Sequence, residues 1–252
     1  MSGWFGTELI FLCLAVLCIG SFLGVLVERL PSGRPVVLDR SACPHCGQRL
    51  GLRDLVPLFS WIVSRGRCRA CGQRLSLFYP AIEILAVLVA FWAFAIVPGW
   101  VAWVTCVLGW VLLTLAIIDW RHLLLPDSLT LPLIAGGLLV AWYLNPEGLL
   151  DHGIGAVAGF LLLVIVGAVY GRLRGREGIG LGDAKLLASA GAWLGWQGLP
   201  SVVLIAAATG LAGALFQARR AGQLDAKRPI PFGPYLAGGI WLVWLYGPLG
   251  IG

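Results

Sequence analysis

The strongest constraint on this chain is where its positive charges are missing. All 18 Lys and Arg residues fall in four stretches: nine in 28–79, Arg121 alone, four in 172–185 and four in 217–231. Between them run apolar segments near the length of about 20 residues that crosses a bilayer as a helix. Eight can be read: 7–27, 80–97, 100–118, 129–144, 152–171, 184–198, 199–216 and 232–247. Eight crossings put the four basic stretches on one side and leave the opposite loops without any Lys or Arg, which is the positive-inside pattern. The expectation is an all-α polytopic membrane protein of about eight transmembrane helices, with basic loops in the cytosol and both termini outside. Composition agrees: 12% of residues are charged and 59% hydrophobic, whereas soluble domains carry about a quarter charged residues. The net charge of +6 follows from topology and calls for no nucleic acid. It suits anionic membrane lipid at the cytosolic face. The sixth segment is short and rich in Gly and Ala, as expected of a helix enclosed by others. The first is not expected to be a cleaved signal peptide, because no basic residue precedes Arg29.

Residues 28–79 form the one long polar insert. It contains "CPHCGQRL" and "CRACGQRL", an internal repeat with two CxxC pairs: Cys43 with Cys46, and Cys68 with Cys71. Two such pairs match the spacing of a four-cysteine zinc ribbon, in which each turn aims two thiolates at one point and two turns complete a tetrahedron. Gly47 and Gly72 follow the second cysteine of each pair and would let the turn close with positive φ. An insert of about fifty residues buries little core, so a structural Zn2+ is a fitting staple. A cytosolic location argues against disulfides. Cys13, Cys18 and Cys106 read as small apolar packing residues, and His45 as an exposed residue of the first turn. The division expected is 1–27 as first helix, 28–79 as zinc-binding insert and 80–252 as a seven-helix core.

With only twelve acidic residues, each carries information. Asp119 ends the third segment in "IIDWRHLLLPD", and Asp183 opens the sixth in "GIGLGDAKLL". An ionisable group at membrane depth is costly, and such groups are functional candidates by default. Both fall on the cytosolic face, 64 residues apart in sequence. As a pair they suit aspartic-protease chemistry, one carboxyl as base and the other as acid, without metal or cofactor. Taken singly, each also reads as a cap or interfacial charge, and Asp183 suits a helix N-cap. Gly178, Gly180 and Gly182 would give a substrate backbone access to Asp183. Asp127 is a rival partner or the N-cap of the fourth segment. Lys185 calls for a carboxylate or lipid phosphate. Glu83 either caps the second segment or meets the insert. Glu177 is a candidate receiver for a basic peptide. Small residues in "GAVAG" (Gly155, Gly159) and "GLAGA" (Gly210, Ala214) read as close helix packing. "PIPFGPYLAGG" reads as a rigid entry to the last segment. Two other readings fit parts of the pattern: a proton-coupled transporter using the aspartates, and a membrane-anchored zinc-ribbon scaffold.

The chain resembles the type IV prepilin leader peptidases/N-methyltransferases of bacterial pilus and type II secretion systems. The likeness runs through "GSFLGVLVERLP", both CxxC pairs, "FYPAIEIL", "IDWRHLLLPD", "EGIGLGDAKLLASAGAWLGW" and "PIPFGPYLAGG". The resemblance implies a bacterial inner-membrane enzyme with Asp119 and Asp183 as catalytic aspartates. Asp183 would belong to the GxGD signature shared with intramembrane aspartic proteases. Its substrates would be type IV prepilins and pseudopilins, cut on the cytosolic side to remove a basic leader. The new N-terminus would then be methylated with S-adenosylmethionine, for which Glu28 and Glu83 are candidate contacts. The cysteine-bearing insert accompanies bifunctional members. The chain departs from the family at Gly24, where members commonly carry Asn.

Overall fold

A computed structural model describes residues 3–37, 39–175, 180–221 and 230–250. Among these the protein is helical and has no β-strand beyond two isolated bridges, Ala42 with Arg49 and Arg67 with Arg74. The helices are α1 (Gly3–Arg29), α2 (Phe59–Val63), α3 (Phe78–Ile96), α4 (Val101–His122), α5 (Asp127–Leu144), α6 (Leu149–Arg174), α7 (Leu181–Leu194), α8 (Leu199–Ala221) and α9 (Gly233–Tyr246). Apart from the short α2, one helix lies on each of the eight apolar segments. Among the described residues, five stretches are able to cross a membrane by length and composition: Phe78–Ile96, Val101–His122, Asp127–Leu144, Pro146–Leu173 and Trp196–Arg220. The protein is therefore a membrane protein. Helices α7 and α9 have 14 residues each. At 1.5 Å per residue they run only about 21 Å, short of the roughly 30 Å hydrocarbon core. The sixth segment ends early because Gly195, at φ 72° and ψ 172°, closes α7. Trp196–Gly198 then forms a tight turn leading into α8.

The chain divides into two compact units, Met1–Trp110 and Val111–Gly252. In the first, α1 packs on α3. Gly20 makes the approach possible: a Cβ there would lie 2.7 Å from the Glu83 Cα and 3.1 Å from the Ala86 Cβ. The Trp110 indole N–H donates to the Ala86 carbonyl at 3.0 Å.

In the second unit α7 lies at the centre, against α5, α6, α8 and α9. Its buried run, Ala184 and Leu186–Trp193, is mostly small or aliphatic. Without a hydrophobic force between helices in lipid, close packing needs small residues at the contact. Gly155 and Gly191 meet backbone to backbone, and a Cβ on Gly159 would sit 2.5 Å from the Leu187 carbonyl oxygen. "GAVAG" is thus the α6–α7 seam. Gly210 and Gly213 make room for the Tyr235 ring, and a Cβ on Gly239 would come 2.8 Å from the Val202 carbonyl oxygen, so α8 and α9 approach in the same way. The Trp193 indole N–H donates to the Leu133 carbonyl at 2.8 Å, tying α7 to α5. The enclosed sixth helix expected from its composition is present.

Candidate functional site

Asp119 lies three residues before the end of α4 and is 5% exposed. Its Oδ2 accepts a hydrogen bond of 2.8 Å from the backbone N–H of Gly233, the first residue of α9. A helix N-terminus carries free N–H groups and positive dipole, so it is a natural seat for a carboxylate. The seat needs glycine: a Cβ on residue 233 would fall 2.7 Å from Asp119 Oδ2. Nothing in the side-chain pattern pointed to Gly233, whose contribution is a backbone donor.

Asp183 is the third residue of α7, and Gly180 is the N-cap. The expected N-cap role of Asp183 is therefore corrected. Its carboxylate reaches back to the Gly180 backbone, as an acid at N3 does in a capping box. Asp119 and Asp183 are near enough for their charges to act on each other.

The start of α7 is fixed by the α4–α5 connection. Lys185 Nζ pairs with Asp127 Oδ1 at 2.6 Å. Asp127 is thus the first helical residue of α5 and Lys185's partner, while Pro126 holds the N-cap position. Beside this pair, Leu125 packs on Gly182, where a Cβ would meet the leucine Cβ at 2.9 Å. Gly182 is small for Leu125. Gly180 has φ −74°, open to any residue, and an added Cβ would meet nothing nearer than 3.8 Å. Glu177, Gly178 and Pro229 lie outside the described residues.

The first unit holds a separate chemistry. Cys43, Cys46, Cys68 and Cys71 bring their sulfurs within 4.8 Å of one another, with Cys43 and Cys71 at 4.0 Å. A tetrahedral ion with metal–sulfur bonds of about 2.3 Å has edges of about 3.8 Å, so the four sulfurs need only a slight contraction to hold a metal such as zinc. The repeat builds the same turn twice. Cys43 N–H donates to Gln48 O and Cys68 N–H to Gln73 O; Gly47 N–H donates to Cys43 O and Gly72 N–H to Cys68 O, all at 2.9 Å. Gly47 and Gly72 take φ 70° and 71°, the left-handed turn expected of them. Backbone N–H groups of Cys71 and Ala70 hold the Cys68 thiol down at about 7. The Gln73 backbone pulls Cys71 the same way, but burial and the neighbouring sulfurs push it up to about 11. A metal ion set among the four sulfurs would hold them as thiolates.

Two acidic residues of the first unit also find partners. Glu83 is buried, and its Oε2 accepts from the Leu58 N–H at 2.7 Å. It therefore meets the insert, one of the two roles expected of it. Glu28 Oε1 accepts from the Tyr79 hydroxyl at 2.8 Å.

An all-helical membrane protein with two neighbouring aspartates in one unit and a cluster of four cysteines in the other is the class these features define. The model of the bacterial peptidase A24 N-terminal domain matches residues 14–97, and that of the type IV leader peptidase family matches residues 106–215. A prepilin leader peptidase/N-methyltransferase of Aeromonas hydrophila is 40% identical over 97% of this chain and 92% of its own length. The protein of that name from Burkholderia pseudomallei (strain 1026b) is 42% identical over 93% of this chain and 84% of its own. Another from Stutzerimonas stutzeri is 36% identical, covering 94% and 90%. The chain belongs to the type IV leader peptidase family. No solved structure matches it.

Proposed function

We propose that this chain removes the basic leader from type IV prepilins and pseudopilins at the cytosolic face of the bacterial inner membrane, with Asp119 and Asp183 as the catalytic pair, and then N-methylates the new terminus. What supports the peptidase reading is that the two aspartates lie near enough for their charges to act on each other, within the part of the chain that matches the leader peptidase family. Two carboxyls in one site share a proton. The ionised one takes a proton from water as the water oxygen adds to the scissile carbonyl. The protonated one hydrogen-bonds to that carbonyl oxygen. Collapse of the tetrahedral adduct breaks the C–N bond, and a proton passes to the leaving amine. The Gly233 N–H fixes the orientation of Asp119 throughout.

The topology that suits this chemistry has eight spans, both termini in the periplasm and the basic loops in the cytosol. There the loops also face anionic lipid. Glu177 is proposed to receive the basic leader, which Glu177→Gln should bind more weakly. The four-cysteine centre takes Zn2+ as a structural ion, held by Cys43, Cys46, Cys68 and Cys71. S-adenosylmethionine, when bound, supplies an electrophilic methyl group that passes to the amine nitrogen while the C–S electron pair stays on sulfur.

Mass spectrometry of a prepilin incubated with purified enzyme reads both activities at once. Wild type should yield a shortened chain carrying an added methyl. Asp119→Asn and Asp183→Asn should each leave the leader in place; cleavage surviving in either variant would rule out the pair.

A further inference from the structure

Helix α2 of the insert turns an apolar side outward. Phe59, Ile62 and Val63 are 65%, 63% and 55% exposed, and their i, i+3, i+4 spacing puts them on one side of the helix. Leu77, 69% exposed, is the N-cap of α3 and directly precedes the span Phe78–Ile96. Hydrogen bonds hold this region against the spans. Arg29, at the end of α1, is buried, and its Nη1 donates to the carbonyls of Pro35, Val36 and Asp39 at 3.1, 3.0 and 2.7 Å. Glu83, in the second turn of α3, accepts from the N–H of Leu58, the N-cap of α2, at 2.7 Å. That contact lies about 7.5 Å along α3 from its first residue. Helix α2 is therefore held at the membrane surface, not out in the cytosol.

Beside α2 lies an open cleft of about 700 Å³. Arg65, Arg67 and Arg74 line it with Trp61, Ser64 and Leu77, and its lining holds no carboxylate. Asp54 is taken by Arg69 at 3.2 Å and Glu28 by the Tyr79 hydroxyl. Among the described residues no acid pairs with the three arginines. The repeat supplies an internal comparison. Each cysteine turn is closed by an isolated antiparallel bridge, Ala42 with Arg49 in the first and Arg67 with Arg74 in the second. The flanking bonds correspond: Cys43 N–H to Gln48 O and Leu50 N–H to Ser41 O, against Cys68 N–H to Gln73 O and Leu75 N–H to Gly66 O. This is the narrow kind of pair, with Cα atoms about 4.5 Å apart and side chains on one face. One copy sets arginine beside alanine. The other sets two arginines side by side, and like charges directly opposite are destabilising. Arg65 adds a third charge at φ 51°, a left-handed conformation uncommon outside glycine.

An anion between Arg67 and Arg74 turns this repulsion into a clamp, and guanidinium groups match phosphate oxygens two at a time. The Trp61 indole N–H, buried without a hydrogen-bond partner, is a further donor in the same wall. A free phosphate would leave Phe59, Ile62, Val63 and Leu77 in water. A phospholipid covers them with glycerol and acyl carbon while its phosphate meets the arginines. We propose that this face of the insert docks on the membrane, with the phosphate of an anionic phospholipid seated between Arg67 and Arg74 and the apolar side of α2 in the interface. The proposal rests on the topology proposed above, which puts residues 28–79 on the cytosolic side.

The test uses full-length, zinc-loaded enzyme in nanodiscs of phosphatidylcholine, with or without phosphatidylglycerol. Hydrogen exchange is followed over residues 59–77, and native mass spectrometry counts the phosphatidylglycerol retained by detergent-purified enzyme. Zinc content reports that the insert of each variant keeps its fold. Exchange should be slower in discs containing phosphatidylglycerol, and the variant carrying Arg67→Ala and Arg74→Ala should lose this difference. It should also retain roughly tenfold less phosphatidylglycerol than wild type. Arg49→Ala, the counterpart in the first turn, should match wild type. Equal retention by wild type and the double variant, or equal exchange in the two kinds of disc, would overturn the proposal. So would protection by inorganic phosphate alone in detergent, which marks a free-anion site. Protection that rises with enzyme concentration in the absence of lipid would overturn it too, placing a second copy of the chain on this face. Discs expose both membrane faces, so these readings do not depend on orientation. The topology is tested apart, by protease added to intact spheroplasts: cleavage within 39–75 would overturn it and the cytosolic docking together.

Discussion

The insert of the first unit and helix α7 of the second hold their shapes by opposite means. Among the described residues of 31–79, only Cys43, Gly66 and Cys68 are buried. Order there comes from paired turns, the hydrogen bonds of Arg29 and Glu83, and the convergence of four sulfurs. In α7, Ala184 and the unbroken run Leu186–Trp193 are buried, and order comes from backbones brought close by glycines. One region depends on a ligand set and the other on the absence of side chains. Metal removal and steric filling should therefore damage them separately.

The largest effect should follow loss of the metal. Structural zinc is worth about 10–16 kcal/mol in small ribbons, far more than the buried surface of this insert supplies. Chelation, or Cys43→Ser, should open residues 39–75 to protease while the helical circular dichroism of the bundle changes little. Elemental analysis should return one zinc per chain before treatment and none after. Loss of the α5–α9 helices on chelation would show that the two regions are not independent.

Filling the α6–α7 seam should come next. Gly191→Val places branched carbon where the Gly155 backbone now lies. Overpacking costs typically 1–3 kcal/mol and at times more, and backbone leaves no flexible group to yield. Thermal unfolding should fall by several degrees or the protein should fail to accumulate, with the insert's zinc content unchanged. Gly153→Ala, on the neighbouring helix α6 with open space around it, should be neutral and serves as the control.

Much of this contrast was legible in the sequence, for reasons tied to particular residues. Eight helices could be placed because their apolar runs are long and the charges between them are confined to loops. The twin turns could be placed because CGQRL occurs twice and each copy carries its own glycine. The surroundings of the two aspartates were less legible. Gly233 acts on Asp119 through its backbone N–H, which leaves no mark in side-chain chemistry. Gly182 looked like access for a substrate, but its neighbour is Leu125, a contact set by how the α4–α5 connection meets α7. The sixth segment was already short in the sequence, and Gly195 ends α7 at Leu194.

Within α7, a single tryptophan should give a smaller effect. Trp193→Phe keeps a ring against Trp244, now at 5.3 Å between centroids, but loses the hydrogen bond to Leu133 O. It leaves a buried carbonyl without that donor, at a cost of about 1–3 kcal/mol. Unfolding monitored by heat should report that loss with leader cleavage still measurable at low temperature. A change below about 0.5 kcal/mol would place the stability of α7 almost wholly in its glycine contacts.

The smallest effect on stability should come from the pair that ties α7 to α5, and it separates packing from positioning. Lys185 is about one quarter exposed and Asp127 more than half, and exposed ion pairs contribute only about 0–1 kcal/mol. Lys185→Met should hardly shift thermal unfolding. Yet Lys185 lies two residues beyond Asp183, in the turn that sets the direction of that carboxylate, and small misplacements of a reacting group can cost about a hundredfold in rate. Leader cleavage by Lys185→Met and by Asp127→Asn should therefore fall at least tenfold while stability holds. The exchange of Lys185→Asp with Asp127→Lys restores the attraction with its sense reversed, and should recover part of the rate. If both single variants cleave at the wild-type rate, the first turn of α7 is held by its glycine seam and by Leu125 on Gly182, and the ion pair is only a solvent-facing contact.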